Sequence, residues 1–294
     1  MRLAKFLSFF VAALFLLAPS AIAKTATDTT ARYPFYLAEK DDVKIYALGA
    51  MHLGKRDAKL TGAIIDALGR SSKLILEIND SDLVDSSDMI EKYLCPDSCL
   101  REQLSAQTYK KMAQDYPELS FFIGRFPAWL AATLLSSKDY MREGYDPKYG
   151  AEFLLQRARG KTPIIGLETS EEQFNAMASI SLKAQVKTLE DYINMSATKR
   201  AEIINDLYKT YMLGDADALF EWYMTYDAKT QSSAEYEEFN KALIFDRNKR
   251  MTERLLTHID SKKPIFVAIG ALHLGGDKGV LELLRKKGYK ITRL

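Results

Sequence analysis

The stretch VKIYALGAMH, residues 43–52, carries the pattern that decides the fold. An apolar run leads into Gly49, and His52 follows three residues later. Residues 264–273 read PIFVAIGALH, so the same Gly-x-x-His pattern returns with His273 at its end. The chain has 294 residues and three histidines, and two of these occupy matching positions. The repetition favours a functional role for the pair over two unrelated loop histidines.

The first Gly-x-x-His pattern stands inside a strand–helix–strand unit. After His52, apolar residues spaced as on one face of a helix predict a helix over 60–68, which Gly69 is expected to end. The nearly continuous apolar run 73–78 then predicts a strand that is buried on both faces.

The second pattern is followed by the same plan. A short amphipathic helix is predicted around 280–284 and is ended by Gly288, and a closing strand follows at 289–294. A further strand is predicted at 163–167. Such uniformly apolar runs are typical of parallel sheets covered on both faces, so we predict an α/β fold with a mainly parallel central sheet built from two similar βαβ units.

Long helical stretches rich in Tyr, Phe, Met and Leu separate these strands. They cover about 83–160 and 171–260, and no low-complexity linker marks a boundary. We therefore expect residues 24–294 to form a single α/β domain with a large helical insertion or cap.

The first residues have the layout of a secretory signal peptide. Arg2 and Lys5 precede an apolar run over 6–18, and small residues provide a cleavage site near Ala23. We expect residues 1–23 to be removed and the protein to be exported to the periplasm or secreted, without stable insertion in a membrane. An uncleaved anchor is the alternative.

Charge and cysteine content narrow the class of protein. Of the 41 Lys and Arg residues two lie in the leader, which leaves 39 basic against 39 acidic residues. This balance gives no reason to expect a nucleic-acid partner. Cys95 and Cys99 are predicted to form one small disulfide in an oxidising compartment, and a redox or metal site is the alternative.

Four polar residues stand at or just beyond the carboxyl ends of predicted strands: His52, Glu77, Glu168 and His273. In a parallel sheet these ends share one edge, where ligands bind. Two imidazoles and two carboxylates there suit a divalent-metal site or an acid–base pair. Glu77 interrupts an apolar run, so a metal, an arginine or a hydrogen-bond donor must compensate its charge. Glu168 has an alternative role as a cap of the next helix.

Arg247 is a charge on an apolar stripe. Leu243 and Met251 lie four residues to either side, so all three share one helix face. The guanidinium is expected either to pair with Glu77 or Glu168, or to bind a carboxylate or oxyanion of a substrate.

Taken in order along the chain, these pieces resemble the TraB/GumN family. The resemblance rests on Gly49-x-x-His52, on Leu76-Glu77, on Gly166-Leu167-Glu168-Thr169 and on Arg247-Asn248 with Met251. It ends on Gly270-Ala271-Leu272-His273 with Gly288-Tyr289. Met51 departs from the small or polar residue expected before the first histidine.

The resemblance implies a function as well as a fold. Related proteins include the Tiki proteases of animals, regarded as divalent-metal-dependent, and the wider superfamily includes erythromycin esterase-like hydrolases and haem-linked ChaN-like proteins. It implies His52, His273 and Glu77 as metal ligands, with Glu77, Glu168 and Arg247 as catalytic or supporting residues.

The resulting expectation is an exported hydrolase, in the first place a peptidase, that uses Mn²⁺, Co²⁺ or Zn²⁺. Two alternatives stay open: a metal-independent esterase-like hydrolase, and a non-catalytic protein that binds haem, iron or another ligand. A small molecule, a peptide or a protein is each compatible with the sequence as substrate, and the oligomeric state is left open.

Overall fold

The computed structural model describes residues 32–79, 86–225, 233–259 and 262–294. The predicted signal peptide lies outside the described residues. Among the described helices none is both long and apolar enough to span a lipid bilayer.

The strands form one large and one small sheet. In chain order they are β1 (Phe35–Lys40), β2 (Val43–Ala50), β3 (Gly54–Lys55), β4 (Leu74–Leu76), β5 (Tyr145–Asp146), β6 (Ile164–Gly166), β7 (Ile265–Gly270) and β8 (Lys290–Arg293). The large sheet has the order β6-β4-β7-β2-β1-β8, and β3 pairs with β5 in the small one.

The α-helices fall mainly in the two stretches that the sequence marked as helical. In chain order they are α1 (Gly62–Arg70), α2 (Ser86–Tyr93), α3 (Cys99–Gln103), α4 (Ala106–Asp115), α5 (Ala128–Arg142), α6 (Ala151–Ala158), α7 (Ser170–Ala178), α8 (Leu182–Asn194), α9 (Ala197–Tyr211), α10 (Ala216–Thr225), α11 (Ala234–Asn240), α12 (Asp246–Thr257) and α13 (Val280–Lys286). A π-helical turn, Lys241–Phe245, joins α11 to α12.

The two strand–helix–strand units interleave within the large sheet. Strands β6, β4, β7 and β2 are parallel neighbours, while β1 runs antiparallel to β2 and to β8. Because β7 of the second unit lies between β2 and β4 of the first, the two Gly-x-x-His patterns follow adjacent strands, with Ala50 opposite Gly270. The predicted α/β class with a mainly parallel central sheet is confirmed.

Strand β7 shows why its sequence is apolar throughout. Ile265, Val267 and Ile269 belong to the core on one face of the sheet, and Phe266 and Ala268 belong to the core on the other. Alternate residues of a strand point to opposite faces, so a strand covered on both sides needs apolar residues at every position. Each fully buried Ile contributes about 1.5–3 kcal/mol relative to an exposed one.

Helices cover the two faces separately. Helix α1 packs through Ile64 and α6 through Leu155 against one face, while α12 packs through Met251 and α13 through Leu281 against the other. The helices α4, α5, α8 and α9 build a further core of their own. The disulfide between Cys95 and Cys99, which the sequence predicted, is present.

Three local predictions were wrong or incomplete. Gly69 lies inside α1, which ends at Arg70 because the extended backbone of Ser71 follows. The strand that leads into the first Gly-x-x-His pattern does not stop before Gly49; it continues through Gly49 to Ala50. Strand β1 was not predicted; it reaches β2 through a tight turn in which Asp41 adopts a φ of 50°, a conformation that Asp tolerates better than most residues.

Candidate metal centre

The sheet brings four sequence-predicted residues to one edge. His52 follows β2, Glu77 follows β4, Glu168 follows β6, and His273 ends the 3₁₀ turn after β7. These four strands are parallel neighbours, so their carboxyl ends share an edge. The location expected from the sequence is therefore the location found.

His52 forms an ion pair with Glu152, a residue that sequence reasoning missed. The Nδ1 atom of His52 lies 2.6 Å from Oε2 of Glu152, which is in the first turn of α6 and is buried. Burial disfavours the charged imidazole, but the charge and hydrogen bond of Glu152 outweigh that effect and raise the pKa of His52 to about 9. The His52 imidazole is therefore protonated at neutral pH.

A glycine allows α6 to approach the His52 turn. The Ala151 N–H donates to the Met51 carbonyl over 3.0 Å, and a Cβ at Gly150 would lie 2.2 Å from the His52 carbonyl oxygen. Any larger residue at this position would push the helix and its Glu152 away. The sequence did hold one signal, because Glu152 precedes the buried Leu155 by three residues and so shares its helix face.

Glu77 is the most heavily bonded acid of the site. Its Oε1 accepts from the Gly270 N–H at 2.5 Å, and its Oε2 accepts from Arg247 Nη2 at 2.7 Å and from Gln173 Nε2 at 3.1 Å. Burial alone would raise the pKa of Glu77, but the Arg247 guanidinium and the neighbouring imidazoles hold it well below the usual range. A Cβ at Gly270 would approach Glu77 Oε1 to 3.0 Å, which explains why glycine suits this strand end.

The sequence left open whether Arg247 pairs with Glu77 or with Glu168, and in the structure it pairs with both. Its Nε lies 2.8 Å from Glu168 Oε2 and its Nη2 lies 2.7 Å from Glu77 Oε2, while Nη1 reaches the Leu243 carbonyl at 3.3 Å. The side chain is buried, and the two carboxylates raise the pKa of Arg247 further despite the opposing effect of burial. The geometry is that of a structural ion-pair network that holds Glu77.

Glu168 belongs to that network and not to a helix cap. Its other oxygen lies 3.4 Å from Arg250 Nη2, and the side chain is fully buried. The cap of α7 is Thr169, whose Oγ1 accepts from the Glu172 N–H while the Glu172 carboxylate accepts from the Thr169 N–H. Glu168 therefore positions Arg247, and the capping alternative is wrong.

His273 is a neutral imidazole held in one orientation. Nδ1 lies 2.6 Å from Oδ1 of Asn248, which can only accept, so Nδ1 carries the proton. The lone pair of Nε2 then faces Arg247 Nη1 at 3.3 Å and Glu77 Oε1 at 3.8 Å. Burial is the largest cause that lowers the pKa of His273 to about 3.

Three of these side chains have ligand atoms close enough to share one cation. The atoms offered by His52, Glu77 and Glu152 all lie within 4.8 Å of one another, and His273 is not a member of this cluster. One nitrogen and two carboxylate oxygens form a donor set that suits Zn²⁺, Mn²⁺ or Co²⁺. Three carboxylates of the site are buried, those of Glu77, Glu152 and Glu168; Arg247 pairs with Glu77 and Glu168, and the His52 imidazolium pairs with Glu152. A divalent cation that displaced the His52 proton would, together with the guanidinium, balance the three carboxylates, so the residues fit such an ion.

A narrow cleft opens above the cluster. His52, Arg247, His273 and Tyr140 line it with polar groups, and its other walls are mostly apolar. The apolar lining residues include Met51, Leu53, Leu207, Leu219, Leu243 and Leu272. A molecule bound in the cleft would therefore contact apolar side chains next to charged ones.

The comparisons with known proteins agree with this arrangement. The model of the TraB/PrgY/gumN family matches residues 34–293, which is nearly all of the described chain. The chain belongs to the TraB/PrgY/gumN family. The resemblance that the sequence motifs indicated is thereby confirmed.

Relatives of this TraB/PrgY/gumN protein fall into two kinds. A metalloprotease TIKI homolog of Nematostella vectensis is 26% identical over 187 residues, 56% of this chain and 40% of that protein. A second, from Amphimedon queenslandica, is 25% identical over 57% of this chain and 37% of that protein. The match thus spans about two fifths of the TIKI relatives. The protein YbaP of Escherichia coli is 23% identical over 82% of this chain and 87% of its own length. No solved structure matches the chain.

Proposed function

We propose that this TraB/PrgY/gumN member is a metal-dependent hydrolase acting on peptides, with His52, Glu77 and Glu152 as ligands of one Mn²⁺, Co²⁺ or Zn²⁺ ion. The observation that carries the proposal is the convergence of these three side chains, from three separate elements, to within 4.8 Å. The names of the TIKI relatives support the metal and the peptide substrate.

A bound divalent ion would lower the pKa of a coordinated water and polarise the scissile carbonyl. Residues around the proposed ligands fix their positions. Arg247 donates a hydrogen bond to Glu77, and Glu168 accepts a hydrogen bond from Arg247 and so orients it. Such outer partners fix the ligands before the ion arrives, which is the usual arrangement around protein metals.

We keep His273 as a second nitrogen ligand in this proposal because its Nε2 lies 3.8 Å from Oε1 of Glu77, although His273 is outside the cluster of His52, Glu77 and Glu152. Because Nδ1 carries the proton that bonds to Asn248, the metal-binding lone pair of this imidazole is the one on Nε2, which in this structure faces Arg247 Nη1 at 3.3 Å. A pKa of about 3 leaves the His273 imidazole neutral at pH 7, whereas His52, with a pKa of about 9, must release its proton when the ion binds. Arg247 and Glu168, predicted as catalytic residues, are proposed instead as positioning residues.

We place the reaction outside the cytoplasm. The predicted leader and the Cys95–Cys99 disulfide are both typical of exported proteins. The equal numbers of acids and bases after residue 23 give no support for a nucleic-acid partner.

The test is an assay that does not require a known substrate. Purified protein is stripped with EDTA, reloaded separately with Mn²⁺, Co²⁺ or Zn²⁺, and incubated with a library of proteome-derived peptides whose new termini are identified by mass spectrometry. We expect cleavage that disappears on chelation and in the variants His52→Ala and Glu152→Gln. Glu253→Gln, an exposed glutamate on α12, is the matched control and should cleave normally. Cleavage that survives both EDTA and His52→Ala would exclude the proposed mechanism.

A further inference from the structure

The geometry of the cleft assigns a substrate-binding role to Tyr140. Its hydroxyl donates a hydrogen bond to a carbonyl oxygen of the bound peptide, and the apolar walls take a large aliphatic side chain next to the reacting bond. The inference names a substrate class for the proposed hydrolase, so it rests on that proposed function. Its test requires binding alone.

The first observation is the chemistry of the walls. The nonpolar side chains around the cleft come from several elements: Leu207 from α9, Leu219 from α10, Leu243 and Ile244 from the π-helical turn, and Leu272 from the turn after β7. None of the lining side chains carries a negative charge. A cationic side chain would find no carboxylate here, whereas an aliphatic one would gain about 25 cal/mol for each Å² that it buries.

The second observation is that Tyr140 differs from the other polar groups of the cleft. His52 is bonded to Glu152, Arg247 to two carboxylates, and His273 to Asn248. Within the described residues the Tyr140 hydroxyl forms no hydrogen bond to any protein atom, and burial is the sole cause of its raised pKa. It therefore stays protonated and keeps a donor that nothing in the protein uses.

A hydroxyl that no protein atom pairs contributes little to the stability of the folded chain that a phenylalanine would not also contribute. Tyr145, its neighbour, provides the contrast. The two rings pack edge to face with centroids 5.5 Å apart, but the Tyr145 hydroxyl donates to Asn205 Oδ1 at 3.3 Å and the residue does not line the cleft. Of these two neighbouring tyrosines, Tyr140 is the one that lines the cleft and has a hydroxyl without a protein partner.

The third observation is that Tyr140 stands on a firmly held helix. The residue before it, Asp139, is buried in α5, and its Oδ2 accepts from the hydroxyls of Tyr116 at 2.5 Å and Tyr192 at 2.6 Å and from Arg200 Nε at 2.7 Å. This network ties α5 to α8 and α9. A hydroxyl that donates a hydrogen bond to a substrate binds it more tightly from a fixed position, because ordering a mobile side chain on binding costs free energy.

These observations define the ligand by chemistry. It has a hydrogen-bond acceptor, as every peptide carbonyl does, and a large aliphatic side chain beside that acceptor. Acetyl-leucyl-leucinamide has both features, and acetyl-seryl-serinamide has the acceptor without the apolar side chains.

The experiment is isothermal titration of EDTA-treated full-length protein with these two compounds. We expect acetyl-leucyl-leucinamide to bind at least about tenfold more tightly than the seryl compound. In Tyr140→Phe its Kd should rise by about five- to tenfold, the loss of one hydrogen bond. Tyr145→Phe is the matched control and should bind within about twofold of the wild type.

Urea unfolding of Tyr140→Phe supplies the second measurement, and the variant should be as stable as the wild type or more so. Equal binding by Tyr140→Phe and wild type would overturn the role of the hydroxyl. Failure of the leucyl compound to bind better than the seryl compound, including no binding of either, would overturn the substrate class. If binding follows the expectation while no metal restores cleavage, the hydrolase proposal fails and this inference stands.

Discussion

The Nδ1 atom of His52 lies 2.6 Å from Oε2 of Glu152, one hundred residues further along the chain. The contact joins the end of a sheet strand to the first turn of a helix that packs on the sheet face. It provides the candidate metal cluster with a carboxylate that no strand end supplies. The same contact sets the charge of His52, so it governs both what the site can bind and how it titrates.

Replacing Glu152 with glutamine is expected to lower the pKa of His52. Burial is already the largest single influence on the imidazole and lowers its pKa; with the carboxylate gone it is no longer outweighed, so the pKa should fall from about 9 towards 6.5. NMR titration of the imidazole resonances in EDTA-treated protein measures the change. His258, whose pKa is lowered by burial and by Lys73, should titrate identically in both proteins. A His52 signal that still titrates near pH 9 in the variant would show that Glu152 does not control it.

Replacing Arg247 with methionine should cost about 3–5 kcal/mol of the free energy of unfolding. The substitution leaves Glu77 and Glu168 buried without their guanidinium, and an uncompensated buried charge is strongly destabilising. Urea denaturation provides the measurement, and Arg250→Met is the control. Arg250 reaches Glu168 only at 3.4 Å and is partly exposed, so its loss should cost no more than about 1 kcal/mol. Equal losses in the two variants would contradict the proposed network.

Much of this site follows from the sequence because strand ends can be recognised in it. His52, Glu77 and His273 each come directly after an apolar run, and parallel strands must bring their carboxyl ends together. The repeated Gly-x-x-His pattern then marked which strand ends mattered. The interleaving of β7 between β2 and β4 was not predictable, since apolar periodicity carries no information about strand order.

Other residues were missed because only tertiary packing reveals them. Glu152 stands in a helix with ordinary helical spacing, and nothing local pairs it with His52. Gln173 and Asn248 act through single hydrogen bonds to Glu77 and His273. Tyr140 was not singled out, because nothing in the sequence distinguishes its hydroxyl from those of the other tyrosines.

Substituting Gly270 with alanine should disturb the site more than the fold. The added Cβ would lie 3.0 Å from Glu77 Oε1 and 3.2 Å from His273 Cδ2, so both side chains must shift. We expect at least a tenfold loss of metal affinity, as is usual when the partners that orient ligands are displaced. Gly69→Ala is the control, because a Cβ there meets nothing within 4 Å and α1 should gain about 0.5–1 kcal/mol. Unchanged metal affinity in Gly270→Ala would refute the close-approach argument.

The capping box of α7 should make a pH-dependent contribution to stability. The hydrogen bond from Arg254 is the largest cause that lowers the pKa of Glu172 to about 2. A carboxylate with a depressed pKa stabilises the folded state above its unfolded pKa of about 4.5, and this contribution fades as pH falls towards 2. Because both side chains are about one third exposed or more, Glu172→Gln should cost no more than about 1 kcal/mol at pH 7. Urea unfolding at pH 7 and pH 3 should show the difference shrinking at the lower pH, and a difference that grew would contradict the assignment.

The central claim is that His52, Glu77 and Glu152 hold one divalent ion, and metal analysis tests it most directly. Protein loaded with Zn²⁺ or Mn²⁺ and freed of excess ion by gel filtration is measured by inductively coupled plasma mass spectrometry beside Glu152→Gln and Glu253→Gln. The account predicts about one ion per chain in the wild type and in Glu253→Gln, and far less in Glu152→Gln. A wild type without bound metal, or a Glu152→Gln variant that retains a full equivalent, would contradict it.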